Sequence, residues 1–155
     1  MEAVVASLIA VLGTLLGSVI TLAVQRRTSA QAELFARSQQ LRQERLATYS
    51  AYAGAVTALK QATVALWLRL QEAPDSPETR QAFAECDRLG AAAENVQFQV
   101  RLLAADSTLV ALAASAFDAI APIRTAPTRT ELVSREQDLQ ESLNAFMAAA
   151  TTQIH

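Results

Sequence analysis

The sequence predicts an all-α protein built as a single N-terminal transmembrane helix, a long stalk helix and an up-and-down antiparallel bundle of three long helices and one short one. Three observations lead there. The run from Ala3 to Val24 carries no charge, and most of the rest repeats its apolar residues at spacings of three and four. Hydrophobic residues make up 52% of the chain but aromatics only 5%, so the apolar content is mostly Ala, Leu and Val, a mixture suited to helices rather than strands. Four Gly and four Pro leave little punctuation for a many-turned β fold.

The uncharged run sets the domain plan: residues 1–25 as membrane anchor, 26–48 as juxtamembrane stalk and 49–155 as cytoplasmic bundle. At helical rise, 22 residues reach roughly 33 Å, enough for a hydrocarbon core of about 30 Å. Twelve of them are Leu, Ile or Val, and together these favour insertion by on the order of 5 kcal/mol. A cleaved signal peptide fits less well, because Glu2 stands where a basic start belongs and the run passes into Arg26 and Arg27 without a polar cleavage region.

Charge sets the expected orientation. Five Arg (Arg26, Arg27, Arg37, Arg42, Arg45) follow the span and one acid, Glu2, precedes it. The positive-inside rule therefore places the N-terminus outside and the C-terminal domain in the cytoplasm, at the inner membrane, with Arg26 and Arg27 as anchors on anionic lipid. Within the span, Gly13 and Gly17 form a GxxxG pair that Ala6, Ala10 and Thr21 extend into a small-residue stripe, a surface on which two membrane helices can approach closely.

No helix breaker occurs between Arg27 and Pro74, so one helix is expected from about Thr28 to Glu72. Its first part is polar. In its second part Tyr49, Tyr52, Val56, Leu59, Thr63, Leu66 and Leu70 recur at alternating spacings of three and four, a heptad seam that other helices or a partner must cover. Trp67 borders it and reads as core or as a partner anchor.

Pro74 and Pro77 enforce a turn, with Ser76 placed to cap a helix that carries Cys86, Leu89, Ala93, Val96, Val100 and Leu103 to about Ala104. Asp106 and Ser107 should open a shorter helix through Ile120, closed by Pro122. An irregular link to Pro127 is then expected, and Thr128 with Glu131 has the form of a capping box for the last helix, whose stripe is Leu132, Leu139, Leu143, Phe146 and Ala150. The Ala-rich stretches 91–93 and 111–116 are expected to allow close helix packing.

The residue inventory argues against chemistry. One His, at position 155, and one Cys, on an apolar helix stripe, offer no metal site, no activated thiol and no disulfide framework. The carboxylate groups Glu85/Asp87 and Glu136/Asp138/Glu141 fall at water-facing positions and lack the Glu-x-x-His partners of a di-iron bundle. No phosphate-binding glycine loop occurs. Net charge is −2, and the Arg-rich stalk is explained by topology, so no nucleic acid partner is expected.

The expected function is thus a membrane-anchored helical scaffold or interaction protein, without catalytic residues, cofactor or small-molecule substrate. Its expected partners are lipid and either a second copy or another helical protein. A small membrane-perturbing protein of the holin or toxin kind and an accessory subunit of a larger membrane complex are the alternatives.

Overall fold

A computed structural model describes the backbone of residues 2–154 and the side chains of residues 35–154. Among the described residues every regular element is helical: α1 (Glu2–Glu72), α2 (Pro77–Leu103), α3 (Ser107–Asp118), α4 (Ala121–Arg124) and α5 (Arg129–Ile154). The chain divides into two compact units, Met1–Arg42 and Gln43–His155. In the first, Phe35 and Leu41 are exposed on α1.

The second unit is the bundle, and end-to-end contacts give its helix directions. Arg45 Nε donates to the Leu103 carbonyl at 3.1 Å, so α2 returns antiparallel along α1. Tyr52 donates to the Ala113 carbonyl and Trp67 to the Ala126 carbonyl, so α3 and α4 climb beside α1 again. Tyr49 donates to Gln153 Oε1 at 3.2 Å, which brings α5 back down. Short connections enforce this alternation.

Local chemistry sets the boundaries. Ser76 caps α2, accepting from the Thr79 N–H at 3.1 Å, and Pro77 stands in the first turn, where a missing N–H costs nothing. Thr79 is itself buried and donates to the Ala73 carbonyl at 2.8 Å, closing the turn from the other side. Asp106 caps α3 by accepting from the Thr108 N–H. Thr128 Oγ1 accepts from the Glu131 N–H at 3.2 Å at the start of α5, while the Glu131 carboxylate pairs with Arg135.

Several expectations need correction. Pro122 does not close a helix that runs through Ile120: α3 ends at Asp118, and Pro122 lies inside the single turn α4. The link to Pro127 is therefore partly helical, because proline at the second position of a helix loses no intrahelical bond and its fixed φ already suits the turn. The helix expected from about Thr28 is continuous with the one expected before it, both being parts of α1, and α2 stops one residue early, with Ala104 as its C-cap. Of Ala91, Ala92 and Ala93, only Ala93 packs inward; the other two are exposed.

The core lies where α1 meets α3, α4 and α5. Tyr49, Tyr52, Val56, Leu59, Leu66 and Trp67 of α1 face Leu109, Ala113, Ile120, Ile123, Leu132, Leu139, Leu143 and Phe146. Each large apolar side chain so buried contributes about 1.5–3 kcal/mol. The small Ala113 and Ala116 let α3 lie close against α5.

Candidate functional site

The sequence nominates three groups of residues, and the structure treats them differently. Ala6, Ala10, Gly13, Gly17, Thr21, Arg26 and Arg27 lie outside the residues whose side chains are described. The seam Tyr49, Tyr52, Val56, Leu59 and Leu66 points into the bundle with Trp67, while Leu70 is half-exposed. That face of α1 is consumed by the protein's own helices.

Aromatic and polar contacts fix the seam. Both tyrosines approach Phe146 edge-on, with ring centroids 6.0 Å away for Tyr49 and 4.9 Å for Tyr52, a geometry the ring quadrupoles favour. Burial, reinforced by the Asp118 carboxylate, raises the Tyr52 phenol well above its ordinary value. Burial raises Tyr49 too, with Arg45 opposing. Gln153 organises the same end: its Oε1 also accepts from the Ala105 N–H at 3.2 Å, joining the α2–α3 link to the last turn of α5. At the other end, Trp67 Nε1 donates to Ala126 at 2.8 Å. With its ring 6% exposed and its donor used, Trp67 is a core anchor rather than a surface hot spot.

A cavity of about 260 Å³ sits where α3 turns into α4, lined by Leu59, Thr63, Cys86, Phe117, Ile120 and Arg124, with Asp87 and Asp118 at its polar side. Burial pushes the Cys86 thiol up, and Asp87 adds to this while a hydrogen bond with Thr63 opposes it. A thiol held in that state is a poor nucleophile at neutral pH. Thr63 Oγ1 donates to the Leu59 carbonyl at 2.8 Å, so its hydroxyl is satisfied within α1. Glu85 pairs with Arg88 on open surface at 2.6 Å, which lowers its carboxyl, and Asp138 and Glu141 are exposed. Among the described residues no group of His, Cys, Asp and Glu is arranged to hold a metal ion.

Two features escaped the sequence reading. Among the described residues, Ser107–Arg124 is by length and composition apolar enough to cross a membrane. Its chain breaks between Asp118 and Ala121, however, and it buries Leu109, Ala113, Ala116, Ile120 and Ile123 in the bundle, as a core helix does. The other feature is the outer face of α2, where Phe98 is 50% and Leu102 84% exposed. Its signal is a second seven-residue spacing, Ala84, Ala91 and Phe98, hidden beside the stronger one through Cys86, Ala93 and Val100.

No curated protein and no solved structure matches the chain. The profile of one protein family, described as KilB plasmid transfer protein, matches residues 46–154, a segment that begins three residues before Tyr49 and ends with α5.

Proposed function

This chain belongs to the KilB plasmid transfer protein family, and from that premise we propose that it serves plasmid transfer in bacteria as a membrane-anchored helical interaction protein without catalysis of its own. The observation that carries the reading is the extent of the family match. It covers the helical bundle and leaves out the uncharged run from Ala3 to Val24. The bundle is then the working part and the preceding segment its means of attachment.

In this reading residues 3–24 cross the inner membrane, Arg26 and Arg27 hold the cytoplasmic side, and the bundle works in the cytoplasm. Gly13 and Gly17 allow two spans to meet. The bundle's chemistry supports a binding rather than an enzymatic role: its one thiol is buried and unactivated, and its surface carboxylates are paired or solvated.

A second reading, an accessory subunit of a larger membrane-bound transfer complex, has the same anchor and differs in its partner. The experiment is a transfer assay in a strain whose copy of the gene is deleted and then supplied as the full chain, residues 1–155, or residues 26–155. The full chain restores transfer frequency and sediments with membranes, whereas residues 26–155 remain in the aqueous fraction and restore little. Full transfer by the shortened chain removes the anchor from the function. Co-purification with multi-span proteins in mild detergent favours the accessory reading, and collapse of membrane potential on expression of the span alone favours a perforating protein.

A further inference from the structure

We propose that the cavity at the α3–α4 turn is a binding site for a small organic cation, an aromatic or branched aliphatic body that carries one ammonium group. Four helices meet there, with Leu59 and Thr63 from α1, Cys86 and Asp87 from α2, Phe117 and Asp118 from α3, and Arg124 from α4. The volume of about 260 Å³ exceeds the roughly 150 Å³ that holds a benzene molecule in an apolar cavity. A six-membered ring with a short arm therefore fits. The floor is apolar, since Leu59, Cys86 and Ile120 are buried. Its hydroxyl, on Thr63, already donates to the Leu59 carbonyl at 2.8 Å, and among the described residues no buried side-chain nitrogen or oxygen lacks a partner. An occupant needs nothing polar at that depth. Sites of this kind hold an apolar body and fix it through a few polar groups at one place.

Those groups stand at the rim. Asp87, Asp118 and Arg124 line the cavity and are exposed, and among the described residues none of the three takes part in an ion pair or a side-chain hydrogen bond. The acids that have found a base lie elsewhere: Glu85 pairs with Arg88, and Glu131 with Arg135. Two carboxylates against one guanidinium leave the mouth net negative. The thiol on the floor registers the same sign. Burial is the main cause of its rise, and among the charged groups that act on it Asp87 outweighs Arg124. A cation is drawn into such a mouth and an anion is repelled. An ammonium partners the two carboxylates while its ring lies against Leu59, Ile120 and Phe117, and the Cys86 sulfur offers the polarizable contact that aromatic edges favour. A neutral or anionic occupant leaves both carboxylates without a partner.

All of the lining residues belong to the Gln43–His155 unit, so the site stands or falls apart from the anchoring proposal. The probe is phenethylamine, titrated against the full chain in nanodiscs of zwitterionic lipid, with empty nanodiscs as the blank for partitioning, and followed by calorimetry and amide NMR. It binds with a dissociation constant on the order of 1 mM or tighter and shifts the amides of Cys86, Phe117 and Ala121. Hydrocinnamate, of similar size and opposite charge, binds at least about fivefold more weakly. Asp87→Asn and Asp118→Asn each weaken the amine about two- to fivefold and leave uncharged phenethyl alcohol unaffected, whereas Arg124→Gln, which removes a like charge, tightens the amine. Ala121→Phe, at an exposed position on the cavity wall, abolishes binding of amine and alcohol alike and leaves the melting temperature unchanged. Failure of the amine to bind, equal binding of amine and carboxylate, shifts confined to other amides, or weaker amine binding by Arg124→Gln each overturns the assignment.

Discussion

The Trp67 indole nitrogen donates to the Ala126 carbonyl oxygen at 2.8 Å, and this bond ties α1 to the link between α4 and α5. Trp67→Phe keeps an aromatic group in the core but leaves that buried carbonyl without its donor, at a cost of about 1–3 kcal/mol. Trp67→Ala adds a cavity and should cost about 3–5 kcal/mol. Urea unfolding followed by circular dichroism measures both. Equal midpoints for Trp67→Phe and the parent protein would show that the hydrogen bond contributes nothing net.

Tyr49 and Tyr52 make the bundle sensitive to alkali. Burial raises both phenols above their ordinary value of 10.0. In the unfolded chain they ionise near pH 10, while in the fold they hold their protons, so above that pH the unfolded state binds fewer protons. Their contribution is fully present below about pH 10 and is lost as pH rises from there through the higher folded values. Melting temperature should therefore fall between pH 9 and pH 11 in the parent protein, and fall less in a Tyr49→Phe, Tyr52→Phe double variant. Parallel slopes for the two proteins over that interval would contradict the assignment.

Much of the fold is legible in the sequence because the physics that sets it is local. The Pro74-Asp75-Ser76-Pro77 turn, the Asp106 cap and the Thr128 cap each act within a few residues, and all three appear where the residues place them. The inward stripe of α5 is equally plain, since Leu132, Leu139, Leu143, Phe146 and Ala150 are all buried. Pro122 misleads because a proline ends a helix from one side and begins one from the other, and only the packing of Ile123 beneath it decides between them. The outer face of α2 stays hidden for a related reason. An exposed Ala stripe and a buried one have the same period, and the sequence does not say which of them the neighbouring helices cover. The seam of α1 is clear as a pattern, but that its cover is α3, α4 and α5 rather than a partner depends on long-range contacts such as Tyr52 with Ala113.

The turn before α2 offers a local test. Ser76 accepts from the Thr79 N–H at 3.1 Å and donates to the Thr79 hydroxyl at 3.0 Å, and Thr79 in turn donates to the Ala73 carbonyl. Ser76→Ala should destabilise the bundle by about 0.5–2 kcal/mol, and Thr79→Val, which keeps the shape and removes the buried hydroxyl, by about 1–3 kcal/mol. Because both act on one network, the double variant should lose less than the sum of the two. Additive losses in thermal unfolding would mean that the two residues act independently.

Topology can be read with a thiol, but Cys86 is the wrong one to use as it stands. It is buried, and its thiol is raised further by that burial, so an impermeant maleimide added to intact cells should miss it whichever side the bundle occupies. Labelling of Cys86 should appear only on denaturation, in whole cells and opened membranes alike. A reporter on open surface separates burial from compartment: Ser134 is exposed on α5, and Ser134→Cys in a Cys86→Ala background leaves the core contacts of that helix untouched. With the bundle in the cytoplasm, the new thiol should resist the reagent in intact cells and react fully in inverted membrane vesicles without denaturant. Labelling in intact cells at the rate seen in vesicles would place the bundle outside, and the Arg26 and Arg27 argument for orientation would fall with it.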